Sequence, residues 1–344
     1  MNPLPPSVPP PPPIPAASVA AGPIRDLTYR GYDGPLNPPT FRWWTVCKMS
    51  LNLIWRKPWF WLIGAIPILP YFLHGVLFYF VIFPMFKRIG ESEQTMTMMP
   101  QFAEILKQQY ALQMYSAFTG NLNSMVLLTI AIIVAAGNPG IAADNRANAL
   151  LIYLSKPLRK GDYLFGKWMT YALSVFVVTA VPAVIFFLFM MTSFASDGFW
   201  KDAPHLWLQT LAILAIPAIF HASLLLGISA WTRSPRMVAT IYVGLNFITW
   251  IVALIARSFF PANSWQRALA EKCSIQGIID GIVQNILQAK ELSGFGRRTM
   301  QAGTLPHLQA LPHVTPLAIV GGILIVVSIV AARMKIHAVE VVKG

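Results

Sequence analysis

Gly161, Gly166 and Lys167 stand at the Gly-x4-Gly-Lys spacing of a phosphate-binding loop. In such a loop backbone N–H groups cradle phosphate, and the residue after the lysine offers a hydroxyl to Mg²⁺. Trp168 occupies that position and has no hydroxyl, no strand precedes the motif, and an apolar run follows it. Nucleotide binding by this chain is therefore not expected. His221 and Ser229 suggest a general base and its nucleophile. Eight residues apart on one helix, they are about 12 Å apart along the axis, beyond hydrogen-bond reach. Gly227, Ser229 and Ala230 read better as small residues packing a helix interface. His74 and His221 are the ionisable groups of note inside the apolar segments; an ion-driven carrier keeps charged relays there. Each histidine reads as a packed, hydrogen-bonded residue. Met96, Met98 and Met99, with Met190 and Met191, have the softness for Cu(I), but adaptable apolar packing is the stronger reading. Cys47 and Cys273 are too few for a disulfide framework or a four-ligand metal site. The expectation is a chain with no catalytic residue, no cofactor and no metal of its own.

The residues that stand out instead suit contact. Asp144 is placed to cap a short helix whose apolar residues are Leu150, Leu151 and Leu154. Ser155-Lys156-Pro157 would end it, and a second amphipathic piece around Tyr163 follows. Apolar residues on a short helix that need span nothing suit a docking surface; the alternative is an interfacial helix resting on lipid.

The elements that hold this loop are membrane spans. Of 344 residues, 56% are hydrophobic and only 11% charged, with a mean hydropathy of +0.57. A soluble domain carries roughly 25% charge, so a soluble fold is excluded, and so is a disordered chain. Six stretches without Asp, Glu, Lys or Arg are long enough to span, which takes about 20 residues. They run about 59–83, 122–143, 168–191, 207–231, 238–256 and 315–332. Internal prolines such as Pro67, Pro182 and Pro217 are tolerated in membrane helices, where neighbours satisfy the freed carbonyls. No basic start followed by an apolar run opens the sequence, so no signal peptide is expected.

The net charge of +13 belongs to membrane sidedness rather than to nucleic acid. Sixteen Lys and Arg fall on the side of the termini and of loops 144–167 and 232–237, against ten on the other. The positive-inside rule then predicts both termini in the cytoplasm, with Cys47 and Cys273 on opposite faces and unable to pair. Residues 1–39 hold 13 of the 28 prolines and read as a disordered cytoplasmic arm. Residues 40–57 alternate aromatic and aliphatic side chains with Arg42, Lys48, Arg56 and Lys57, which predicts an interfacial elbow helix broken by Pro58. Within the outer loop 257–314, Ile275, Ile278, Ile279, Ile282, Ile286 and Leu287 share one helical face, with Gln276, Asp280, Gln284 and Gln288 elsewhere. This predicts an amphipathic helix resting on the outer face of the bundle; a substrate gate is the sharper reading and packing the stronger one. The predicted fold is thus an all-α polytopic membrane protein: a six-helix domain over 58–334, preceded by the elbow and followed by a tail at 335–344.

Two cytoplasmic stretches carry a resemblance. Arg146-x2-Ala-Leu150-x2-Tyr153-Leu154-Ser-x-Pro157-Leu-x3-Asp162-Tyr163-x2-Gly166-Lys167 resembles the first cytoplasmic loop of ABC-2-type transporter permeases. Tyr29-Arg-Gly-Tyr-Asp-Gly-Pro35, followed by Arg42-Trp43-Trp44, is similar to bacterial members ahead of their elbow helix. The likeness extends over about residues 24–344 and departs at Asn148, where members usually have Gly; within a helix interior Gly is not needed. The resemblance implies a coupling helix seated in a cleft of a separate ABC ATP-binding subunit, which would hold ATP and Mg²⁺. It also implies a second permease half, identical or different, and a place in the bacterial cytoplasmic (inner) membrane among lipids. On that basis Asp144, Arg146, Leu150, Tyr153, Leu154, Pro157, Tyr163 and Lys167 form the expected ATPase-facing region. Leu150, Tyr153 and Leu154 would be its apolar anchors, Arg146 an ion-pairing residue, and Asp144 and Pro157 the helix ends. The uncharged spans favour export of a hydrophobic or amphiphilic cargo. An ion-gradient-driven carrier and a membrane scaffold or assembly factor are the competing classes.

Overall fold

The computed structural model describes residues 41–91, 108–121, 127–135, 140–149, 158–260, 265–290, 292–293, 307–308 and 313–336. Helix α1 (Arg42–Trp55) lies within the stretch 40–57. Its apolar residues recur every three or four positions, so Cys47, Leu51 and Ile54 form one buried face, joined by Ser50. Lys57 turns extended, as the residue before a proline must, and Pro58 opens α2 (Pro58–Gly64) at the first helical position. Helix α3 (Ile68–Leu77), a π-helical turn at Phe78–Ile82 and α4 (Phe83–Gly90) continue the same apolar run.

After α5 (Gln109–Asn121), α6 (Leu127–Ala135) and the short α7 (Ile141–Arg146) come the long elements. These are α8 (Lys160–Ser193), α10 (Leu206–Trp231), α11 (Pro235–Ser258) and α14 (Val314–Lys335). The short α9 (Phe199–Asp202) joins α8 to α10. Together with the run Phe60–Arg88, these make five helices among the described residues that are long and apolar enough to cross a membrane. The predicted second span falls on α6 and its neighbours, and residues 122–126 and 136–139 lie outside the described residues. Pro182 and Pro217 sit inside α8 and α10 without ending them.

Helix α10 is the central element. It packs on α8, α14, α11 and α7 and is mostly buried, whereas α14 is mostly open. The exposed faces of α11, α14 and α3 are themselves apolar, with Phe247, Ile248, Val326 and Phe72 all open. A surface of that kind is stable against hydrocarbon rather than water. Small residues let α10 and α14 approach: a Cβ on Gly227 would lie 3.1 Å from Ser328.

The helix expected to rest on the bundle is present, but it is not a surface helix. Helix α13 (Ile275–Leu287), capped by Ser274 whose Oγ accepts from the Gly277 N–H at 2.9 Å, buries Gln276 and Gln284 as well as Ile275, Ile278 and Ile279. It packs on α10, α11, α14 and α5 at once. A helix with neighbours on several sides buries its polar stripe too, and periodicity alone cannot reveal that. Helix α12 (Trp265–Glu271) precedes it, and Lys272 between the two pairs with Asp280. Among the described residues the fold is all-helical apart from a two-residue antiparallel ladder, Leu292 opposite Leu308 and Ser293 opposite His307.

Candidate functional site

The short helix α7 lies where α1, α8, α10 and α14 converge. A separate apolar cluster marks this junction: Ile141, Tyr163, Leu164, Leu226, Ala230, Ala332 and Ile336, with Val46 against them. Helix α7 begins at Gly140, whose φ of −76° and ψ of 178° are open to any residue. Glycine is needed for space instead. A Cβ there would stand 1.8 Å from the Tyr171 hydroxyl and 2.9 Å from Ser229 Oγ.

Those two side chains finish the helix terminus. The Ala142 N–H donates to Ser229 Oγ at 2.9 Å, and the Tyr171 hydroxyl donates to the same oxygen at 3.1 Å. Helix starts leave N–H groups without intrahelical partners, and here one is taken up by a serine of another span. The return contact comes from Asn145, whose amide donates to the carbonyls of Ala230 and Thr232 at 3.2 and 3.3 Å, at the end of α10. Helices α7 and α10 therefore cap each other.

Asp144 is not the helix cap that the sequence suggests. It lies within α7, and its carboxylate turns inward to accept from the Tyr163 hydroxyl at 2.5 Å and from the Lys167 ammonium at 2.8 Å. Lys167 also donates to Ser50 Oγ of α1 at 3.3 Å. Lys167 is only 2% exposed and Asp144 8%. A buried ion costs several kcal/mol to desolvate, so such a pair persists only when its remaining hydrogen-bonding positions are filled. Tyr163 and Ser50 fill them. The network ties three separate elements together: α1 through Ser50, α7 through Asp144, and α8 through Tyr163 and Lys167.

The phosphate-loop lookalike also resolves into packing. Residues 160–193 are one continuous helix. A Cβ on Gly166 would stand 2.6 Å from the Trp43 carbonyl oxygen, so this glycine is where α1 lies directly on α8. Trp43 adds an edge-on contact with Phe165 at 4.9 Å between centroids.

Of the expected docking residues, Asp144, Tyr163 and Lys167 are brought together inside the junction, while Arg146 is exposed beside them. Leu150, Tyr153, Leu154 and Pro157 lie outside the described residues. Asn148 corrects one expectation: its φ of +51° is left-handed, so the position follows the helix rather than lying inside it. There glycine is at ease, and asparagine is among the few other residues that tolerate it. Ser50, Gly140, Asn145, Tyr171 and Ser229 were not legible as partners, because each acts on an element far away in sequence.

The partly buried His74 and the fully buried His221 are each hydrogen-bonded. His74 Nε2 lies 2.8 Å from Gln113 Oε1, and His221 Nδ1 lies 3.0 Å from the Tyr242 hydroxyl. Among the described residues no group of three or more His, Cys, Asp or Glu is placed to hold a metal.

A profile of the ABC-2 family transporter proteins matches residues 44–334. The chain belongs to that family. A comparison with curated proteins finds no match. Membership makes this a multi-pass permease of an ABC transporter, a class that works with an ATP-binding subunit. The matched region begins within α1 and ends in the last turn of α14, so it takes in residues from every element of the junction.

Proposed function

We propose that this ABC-2 permease receives motion from a separate ATPase docked on loop 144–167 and moves a hydrophobic or amphiphilic cargo outward. The observation that carries the reading is the double fastening of α7. It is capped reciprocally with α10 through Ser229 and Asn145, and tied to α8 and the elbow through Asp144, Lys167 and Ser50. A force on the loop thus has a stiff route into two spans and the elbow, and rigid elements of this kind turn local contacts into bundle rotation. Arg146 supplies an exposed charge at the docking face, and Leu150, Tyr153 and Leu154 supply the apolar anchors, with Pro157 ending their helix. ATP and Mg²⁺ would sit in the partner. The sixth span, cytoplasmic termini, an inner-membrane location and a second permease half, identical or different, belong to the same reading.

The test is an affinity pull-down from detergent, comparing wild type with Leu150→Asp/Leu154→Asp. Wild type should recover an ABC ATPase and the double variant should lose it while eluting as a folded species. A folded wild type that brings down no ATPase refutes the docking assignment.

A further inference from the structure

With Cys47, Ser50, Leu51 and Ile54 turned toward the bundle, α1 has a second face that no described element covers. Trp44, Lys48, Asn52 and Arg56 recur every fourth residue along it, which on a helix forms one continuous stripe. Beside that stripe, Met49 is 57% exposed and Leu53 54%. Large apolar side chains and cations thus lie together on one surface. Charge of the other sign is missing from the whole neighbourhood in sequence, since no Asp or Glu occurs between Thr40 and Gly90. Helix α8, which packs along α1, begins with the exposed Arg159 and Lys160 and the partly exposed Asp162. The other carboxylate nearby, Asp144, is already held by Lys167.

A surface that needs hydrocarbon beside negative charge fits the boundary of a bilayer leaflet rich in anionic headgroups. Only Arg56, Lys57 and the first turn of α2 separate α1 from the run starting at Phe60 that is long and apolar enough to cross a membrane. We infer that the exposed face of α1 is a binding site for anionic phospholipid, with Lys48 and Arg56 on headgroup phosphates and Met49 and Leu53 among the upper acyl chains. Amphipathic helices of this composition bind through buried apolar area plus attraction to anionic lipid. A cation close to such a surface contributes about fivefold in affinity. The two together give about a thirtyfold preference over zwitterionic lipid.

The inference is tested with the full chain in detergent, offered equimolar dioleoyl phosphatidylglycerol and dioleoyl phosphatidylcholine and read by native mass spectrometry. Wild type should retain phosphatidylglycerol selectively. Lys48→Gln/Arg56→Gln should lose most of that preference while keeping its helical circular dichroism. Arg257→Gln/Lys201→Gln, removing two cations elsewhere, should keep it. Met49→Glu/Leu53→Glu should reduce retention of both lipids. An unchanged preference in Lys48→Gln/Arg56→Gln overturns the inference. So does a variant that keeps its lipid preference but no longer binds an ATPase, which would assign this face to a protein. The lipid assay contains no ATPase, so failure of the docking proposal leaves its result intact.

Discussion

Removing the charge of Lys167 is the most demanding test of the junction. The ammonium sits 2.8 Å from Asp144 Oδ2, with side-chain exposures of 2% and 11%. Attraction at that distance is about 6 kcal/mol at an effective dielectric of about 20, and desolvating two ions offsets most of it. The pair as a whole therefore contributes little net stability, while either ion alone is expensive. Lys167→Met leaves a buried carboxylate with one hydroxyl partner, and Asp144→Asn leaves a buried ammonium facing a neutral amide. Each should cost about 3–5 kcal/mol, on the order of 5–15 °C in apparent melting temperature. The double variant removes both charges and should fall no more than about 2 kcal/mol below wild type, recovering most of the loss. Melting of all four proteins in one detergent, followed by size-exclusion recovery, gives the cycle. Additive losses in the double variant, or a Lys167→Met protein within about 2 °C of wild type, would refute the interior ion pair.

Two further outcomes follow from close packing and burial. Gly140→Ala puts a Cβ 1.8 Å from the Tyr171 hydroxyl and should destabilise by about 1–3 kcal/mol; Tyr171→Phe should relieve part of that in thermal melts, and no relief would contradict the close approach. Burial pushes the Cys47 thiol above its ordinary value, outweighing its hydrogen bond with Thr170, so less of it is thiolate at any given pH. At pH 8 a maleimide should modify the exposed Cys273 and reach the fully buried Cys47 only after denaturation; equal rates at the two sites would rule this out.

Much of the architecture is readable along the chain because each span is a one-dimensional property. Twenty or so apolar residues must become a helix in hydrocarbon, whatever their neighbours are. The long spans come from composition and the break at Pro58 from local sequence, while loop 144–167 carries a resemblance of motif; the family match over 44–334 agrees with that resemblance. Packing is different, because it joins residues far apart in sequence. Helix α13 shows a clean amphipathic pattern, yet its glutamines are buried, since periodicity ranks faces by polarity and does not count the helices that surround them. Asp144 has the composition and position of a cap, but a buried ammonium 23 residues later draws its carboxylate inward. Ser229 stands about 90 residues from the helix terminus it satisfies. Asn148 turns left-handed where a continuing helix was expected. The sequence by itself determined that this chain crosses a membrane and which loop bears the family's mark. Only the tertiary structure decided which of that loop's residues face inward, because buried charges and uncapped helix ends must find partners wherever the fold places them.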